Sequence, residues 1–149
     1  MRILFIGAGR MGLPIISSWK KGSRHKSIDI HLVEKLEANI NKIKKENIKI
    51  NFYKKIPKKW EGDVIFFAVK PQDFKKVAEE INLNNVLFKN IVSIMAGITT
   101  SKIRSYLKTQ TSVTRVMPNL AVEVNLGVNC IFHSSNTKNL FKKNLNTLF

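Results

Sequence analysis

Residues 2–12 read RILFIGAGRMG, and this stretch decides the fold. A short apolar run ends at Gly7, and Gly7, Gly9 and Gly12 follow the spacing G-x-G-x-x-G. Beyond Gly12, apolar residues recur at helical spacing as far as Trp19. Glycines spaced in this way between a strand and a helix are typical of a loop that binds the pyrophosphate of a dinucleotide.

Each glycine of this loop has a separate physical role. Gly7 permits a tight turn, Gly9 lets a pyrophosphate approach the backbone, and Gly12 allows the helix to pack closely on the strand. The N–H groups at the start of the helix carry about half a positive charge and face the phosphate. We therefore expect Gly7, Gly9, Arg10, Met11 and Gly12 to bind the pyrophosphate of NAD(P)H, and a plain glycine turn is the alternative.

Strands and helices alternate along the rest of the chain, with short connections. This order predicts an α/β fold, a Rossmann-like doubly wound and mostly parallel sheet with helices on both faces. A continuous apolar run at 63–69 is typical of a central strand that is covered on both faces. The predicted strands are 2–6, 28–33, 48–52, 63–69, 91–95, 112–116 and 128–132. Helices are expected over 11–19 (closed by Gly22), 36–43, 74–81 and 98–107 (opened by Thr99 or Thr100), with a polar one beginning near Thr137.

Glu34 comes at the end of the second predicted strand, 22 residues after Gly12. An acidic residue there accepts hydrogen bonds from the adenine ribose hydroxyls and repels a 2′-phosphate, which favours NAD over NADP. Lys35 is a cation able to accommodate a phosphate, so the preference between NAD and NADP stays open. The alternative is that Glu34 caps the following helix or pairs with a lysine.

The segment Ala68-Val69-Lys70-Pro71 closes the central predicted strand. Ligands of doubly wound sheets bind beyond the carboxyl ends of the strands, so these four residues should face the cofactor. Lys70 would then place a cation near phosphate or ribose, and Pro71 begins the next helix, where its missing N–H costs nothing. A purely structural helix start is the alternative.

Two further strand ends carry candidate residues for the nicotinamide half of the cofactor. Ala96 and Gly97 are small and leave space there, although a bare turn fits them as well. Met117 is able to lie against a planar ring, and Asn119 is able to hydrogen-bond an amide or hydroxyl. Pro118 and Asn119 are also ordinary turn formers.

Composition limits the classes of protein that fit. The 149 residues suit one dinucleotide-binding domain over 1–149, and 44% of them are hydrophobic, which excludes a disordered basic tail. A single cysteine, Cys130, excludes a disulfide framework and is expected to be a small core residue. The longest apolar run has six residues, and the start lacks the long apolar region of a signal peptide, so we expect no membrane partner and a cytoplasmic protein.

The formal net charge of +16 is compatible with nucleic-acid binding. However, Lys outnumbers Arg, and the lysines occur almost everywhere as pairs, as AT-rich coding produces. We therefore expect a solvated surface and no nucleic-acid partner. His25, His31 and His133 show no ligand spacing, so no metal site is expected.

Four ordered segments resemble the motif set of pyrroline-5-carboxylate reductases. They read GAGRMG at 7–12, AVKPQ at 68–72, SIMAGI at 93–98 and RVMPN at 115–119. The glycine motif is shared by many dehydrogenases, whereas the AVKPQ and MPN motifs in this order are far more specific. The resemblance implies hydride transfer from NAD(P)H to the C=N bond of 1-pyrroline-5-carboxylate, giving L-proline.

The chain also departs from that family. Leu120-Ala121 stands where the family usually has Thr-Pro. The resemblance further implies a second, all-helical domain that makes the homo-oligomer interface and holds most of the substrate, and we expect it to be absent here. By the same comparison, the chain is expected to stop in the helix before the last strand of the nucleotide domain. No catalytic residue is therefore assigned.

Two other functions remain open from the sequence. One is a related NAD(P)-dependent dehydrogenase fragment that acts on another small substrate, since the glycine motif is widely shared. The other is a non-enzymatic basic binding module that uses the surface lysines.

Overall fold

The computed structural model describes residues 1–21, 28–46, 48–119 and 129–149, and these form one seven-stranded sheet flanked by helices. The predicted helix end at Gly22, the strand start at Val128, and the departures at Leu120 and Ala121 lie outside these ranges. The strands are β1 Arg2–Ile6, β2 Asp29–Val33, β3 Asn51–Tyr53, β4 Glu61–Phe67, β5 Leu87–Ser93, β6 Ser112–Pro118 and β7 Asn129–His133. The helices are α1 Gly12–Lys21, α2 Glu37–Lys45, α3 Phe74–Leu83, α4 Thr100–Leu107 and α5 Asn139–Asn146.

The strand order is β3-β2-β1-β4-β5-β6-β7, so the chain winds outward from β1 in both directions. Strands β1 to β6 are parallel, and only β7 runs antiparallel, against β6. The predicted doubly wound, mostly parallel α/β fold is confirmed.

Both faces of the sheet are buried, as the apolar run in β4 predicts. Val64 and Phe66 belong to the core under α1, α2 and α5, whereas Ile65 and Phe67 belong to the core under α3 and α4. Phe66 is fully buried and stacks on Phe5, with 4.4 Å between the ring centroids. Burial of such side chains on both faces is the main source of stability for the central strands.

Several strand boundaries differ from the predictions. Strands β4 and β5 begin earlier than expected, at Glu61 and Leu87, because these two residues pair with each other in the parallel ladder. Both are exposed, and Glu61 is also charged, so neither begins the continuous buried part of its strand. The third strand is shorter and later than predicted, Asn51–Tyr53.

Helix α4 begins as predicted from its sequence. Thr99 is the N-cap, and its side chain accepts a hydrogen bond from the Lys102 N–H at 3.2 Å. The last helix, α5, begins at Asn139, two residues after the expected Thr137. Within the described ranges, no helix is long and apolar enough to cross a membrane.

Candidate cofactor-binding site

The loop after β1 is built closely against the end of β4. The Gly7 N–H donates to the Val33 O at 2.9 Å, and the Ala68 N–H donates to the Ile6 O at 2.9 Å. Gly7 has φ +94°, and a Cβ added there would lie 2.8 Å from the Ala68 carbonyl oxygen. Only glycine fits this turn without strain.

Gly12 is equally constrained, at the first residue of α1. A Cβ at Gly12 would lie 2.4 Å from the Gly7 carbonyl oxygen and 3.2 Å from the Cβ of Ala68. The glycine therefore brings the helix start against the strand, as its place in the motif predicts.

Gly9 differs from both, because a Cβ added there would meet no heavy atom within 4 Å. The first hydrogen bond of α1 runs from the Leu13 N–H to the Gly9 O at 3.1 Å. The N–H groups before Leu13 therefore lie in the first turn, which has no intrahelical acceptors for them. Arg10 is exposed and Met11 is half-buried in this turn. The fold thus presents open backbone at the positive end of a helix, an arrangement that fits an anionic pyrophosphate.

Glu34 connects the glycine loop to the start of α2. Its Oε2 accepts from the Ala8 N–H at 2.7 Å and from Nδ2 of Asn39 at 3.2 Å. Its Oε1 accepts from the N–H groups of Lys35 and Leu36 at 2.7 and 2.9 Å. The side chain is buried. The backbone N–H groups that it accepts from precede α2, and only the Asn39 side chain among its donors belongs to the helix.

The predicted residues after β4 lie beside the glycine loop. Ala68 is half-buried under it, and Cγ1 of Val69 lies 3.1 Å from the position of a Cβ on Gly7. Lys70 and Pro71 follow and are exposed, and Pro71 begins a short 3₁₀ turn before α3.

The ladder places the other strand ends at the same edge of the sheet. Phe67 pairs with Ser93, and Ser93 pairs with Arg115, so the loops after β4, β5 and β6 are neighbours. Ala96 and Gly97 are exposed there, and Gly97 has φ +70°. Met117 is 46% exposed, and Asn119 is exposed after the end of β6.

Thirteen of the fourteen predicted cofactor residues therefore lie after the carboxyl ends of parallel strands or in the first turn of α1, and the other, Met117, is the last residue but one of β6. The sequence missed Arg115, whose Nη2 donates to the Met95 O at 3.1 Å and ties β6 to the loop after β5. The sequence did contain a signal for this role, because Arg115 is a charged residue within a mostly apolar strand, two residues before Met117.

One expectation is wrong. Cys130 is exposed, because β7 is an edge strand and Cys130 pairs with Met117 at the open end of β6. The expected core position rested on the apolar neighbours of Cys130, and an edge strand does not bury both faces. Among the described residues no cluster of His, Cys, Asp and Glu is able to hold a metal ion, and His25 lies outside them.

Comparison with known families identifies a match over most of the chain. Residues 2–97 match the family described as "NADP oxidoreductase coenzyme F420-dependent".

Curated relatives extend the match to nearly the whole chain. Pyrroline-5-carboxylate reductases from Staphylococcus haemolyticus and Staphylococcus aureus are each 31% identical, over 99% of this chain and 55% of the relative. The region matched is the N-terminal half of these relatives. The chain thus spans about half the length of the curated relatives it matches, and the resemblance inferred from the motifs is confirmed.

Solved structures agree on the fold. A pyrroline-5-carboxylate reductase from Coxiella burnetii superposes with a TM-score of 0.82 at 22% identity, over 98% of this chain and 54% of that one. A pyrroline carboxylate reductase from Plasmodium falciparum, solved with NADP bound, gives 0.76 at 20% identity, over 100% and 54%.

Proposed function

Since the chain belongs to the family described as "NADP oxidoreductase coenzyme F420-dependent", we propose that residues 1–149 form the dinucleotide-binding part of an NAD(P)H-dependent oxidoreductase. The observation that carries the proposal is the contrast within the glycine loop. Gly7 and Gly12 are closed in by backbone, whereas Gly9 faces open space at the start of α1. A loop that served only as a turn has no need of a glycine at that open position.

In this proposal the pyrophosphate lies over Gly9 and the first turn of α1. Gly7 and Gly12 set the shape of the loop, and the N–H groups of Arg10 and Met11 face the phosphate. The Arg10 side chain is exposed in this turn and adds a positive charge.

The adenosine ribose lies beside Glu34. The carboxylate is fixed by four donors, two of which are the Lys35 and Leu36 N–H groups. A ribose hydroxyl is able to donate to this fixed anion, whereas a 2′-phosphate would meet its negative charge. We therefore expect NADH to bind at least as well as NADPH, with Lys35 as the cation available to a 2′-phosphate.

The nicotinamide half lies over the ends of β4, β5 and β6. Ala68, Val69, Lys70 and Pro71 line the side nearest the glycine loop. The far side is formed by a second group of residues, namely Ala96, Gly97, Met117 and Asn119. When bound, the reduced nicotinamide supplies the hydride, and the residues of this chain bind it, orient it and exclude water.

The reaction proposed is the reduction of 1-pyrroline-5-carboxylate to L-proline, a step of proline biosynthesis in the cytoplasm. It is supported by the similarity to pyrroline-5-carboxylate reductases and by the order of the four motifs. The resemblance implies that a second domain holds most of the small-molecule substrate, so no residue of this chain is assigned a catalytic role.

Titration of the chain with NADH and NADPH tests the proposal. We expect NADH fluorescence to change on binding and calorimetry to give saturable heat. A lack of both signals with both dinucleotides would overturn it. A turnover assay with 1-pyrroline-5-carboxylate then separates cofactor binding from complete activity.

A further inference from the structure

The two edge strands of the sheet, β3 and β7, differ in how their sequences protect them from other chains. Strand β3 has three residues and is flanked by Lys49, Lys54 and Lys55. Strand β7 has five residues and contains no lysine, arginine, proline or acidic residue. Proteins commonly use short edge strands, lysines and prolines to prevent an edge from pairing with another chain. The β7 edge has none of these residues and is open to pairing.

The backbone of β7 presents hydrogen-bonding groups on its outer side. The Ser134 N–H donates to the Val113 O at 3.0 Å, which identifies this pair as a hydrogen-bonded one. Hydrogen-bonded and non-hydrogen-bonded pairs alternate along an antiparallel ladder, so every second residue of β7 directs its N–H and C=O groups away from β6. These outward-facing residues are Asn129, Ile131 and His133. Within the described ranges β7 pairs only with β6, so the outer groups are available to another strand.

One face of the β6–β7 pair carries exposed apolar side chains next to this edge. Phe132 is 60% exposed and Met117 is 46% exposed. Cys130 is also exposed, and it pairs directly with Met117 across the ladder. Since side chains two residues apart along a strand share a face, Phe132 and Cys130 lie side by side. Apolar side chains beside an open strand edge favour contact with a further protein chain.

The charge pattern favours a second copy of this chain as the partner. Residues 116–137, which include β7, are the longest stretch of the sequence without Lys or Arg. The formal net charge is +16, so two copies repel each other wherever lysine-rich surfaces meet. An uncharged edge is where two basic chains approach each other with the least repulsion. A nucleic acid or an acidic protein would instead bind the lysines.

We propose that two copies of this chain associate by antiparallel pairing of their β7 strands, which joins the two sheets into one. Ile131 is the central residue of β7, so a two-fold axis beside it pairs Ile131 with Ile131 and Asn129 with His133. These are the residues whose backbone faces outward, so the pairing forms roughly six hydrogen bonds. On the exposed face each Phe132 then lies opposite Cys130 of the other copy. The edge is therefore complementary to itself.

This contact differs from the homo-oligomer interface that the family resemblance implies, because that interface belongs to a second, all-helical domain. It also does not rest on the proposed function, since β7 contributes no residue to the proposed cofactor site. NADH titration therefore tests the cofactor site separately from this contact.

Sedimentation velocity of the chain tests the proposal in high salt, which screens the net charge, and with a reducing agent, which prevents disulfides. At roughly 100 µM, well above a micromolar dissociation constant, we expect a particle of twice the mass of the chain. A monomer under these conditions would overturn the proposal.

A matched pair of variants locates the contact. Phe132→Lys places a positive charge on each side of the two-fold axis and should weaken dimerisation by about tenfold or more. Leu83→Lys makes the same kind of change at the last residue of α3, where the side chain is 81% exposed, and should leave the dimer intact. Equal dimerisation of the two variants would rule out the β7 edge as the interface.

Cross-linking tests the register and does not depend on the behaviour of Phe132→Lys. In Phe132→Cys the new thiol lies opposite Cys130 of the other copy in a non-hydrogen-bonded pair, with Cα atoms about 4.5 Å apart, which suits a disulfide. In the wild type the two Cys130 residues lie diagonally, about 7–8 Å apart, which does not. Mild oxidation with copper phenanthroline should therefore give at least about tenfold more covalent dimer in Phe132→Cys than in the wild type or in Leu83→Cys. Equal yields in the three proteins would contradict the proposed pairing.

Discussion

Replacing Gly9 by alanine separates cofactor binding from folding. The added Cβ meets no heavy atom within 4 Å, and the φ of Gly9 lies outside the left-handed region. The substitution should therefore change the free energy of unfolding by no more than about 0.5 kcal/mol. Alanine also lowers the conformational entropy of the unfolded chain, and this offsets part of any loss of unfolding free energy.

The same methyl group should weaken cofactor binding strongly. It projects into the open space where the pyrophosphate is proposed to approach the backbone. A hydrogen bond to a charged group contributes about 1.5–3 kcal/mol. Losing one such bond raises the dissociation constant for NADH by roughly 10- to 150-fold, since each 1.4 kcal/mol is a factor of ten.

Gly12→Ala is the matched comparison in the same loop. Its Cβ would lie 2.4 Å from the Gly7 carbonyl oxygen, and a backbone atom is unable to give way as a flexible side chain does. We expect a loss of about 1–3 kcal/mol of unfolding free energy. Urea denaturation and NADH titration of both variants and the wild type provide the assay. Wild-type affinity in Gly9→Ala, or destabilisation of both variants to the same extent, would refute the reasoning.

Three further changes test other parts of the structure. Glu34→Ser removes the carboxylate at the proposed ribose site and should raise NADPH affinity relative to NADH; an unchanged ratio in calorimetry would show that Glu34 does not contact the ribose. Phe66→Ala removes a fully buried ring stacked on Phe5 and should cost about 3–5 kcal/mol in urea denaturation, so a loss below about 1 kcal/mol would contradict the packing described. Burial, and secondarily the charge of Lys142, lowers the pKa of His133. The unfolded chain therefore binds this proton more readily, and stability should fall as the pH drops below about 6.5 and be regained above it. His133→Gln should flatten that part of the stability profile, and an unaltered slope would rule out His133 as its source.

The fold was largely predictable because its signals are local. The glycine loop and the buried run in β4 each identify their element from a few neighbouring residues. Because β-α units wind in a fixed hand, these elements predict the sheet and the edge where its loops meet. The positions of the fourteen candidate residues follow from that rule, whereas their contacts with a cofactor remain predictions.

The remaining features depend on pairing between distant residues. Glu61 pairs with Leu87, and this pairing, rather than apolarity, sets the starts of β4 and β5. Cys130 is exposed because β7 is an edge strand. The apolar residues around Cys130 do not indicate whether their strand lies at the edge or in the centre of the sheet. The bond between the Ala8 N–H and Glu34 spans 26 residues, so the sequence shows only that an acid is present.

Nuclear magnetic resonance of the ¹⁵N-labelled chain, titrated with NADH, tests the central claim most directly, because it reports on each backbone amide separately. The account predicts the largest shift changes at the amides of Gly9, Arg10, Met11 and Gly12, with smaller ones after β4. Saturable binding that leaves these amides unmoved, or no binding at all, would contradict the assignment of the glycine loop as the pyrophosphate site.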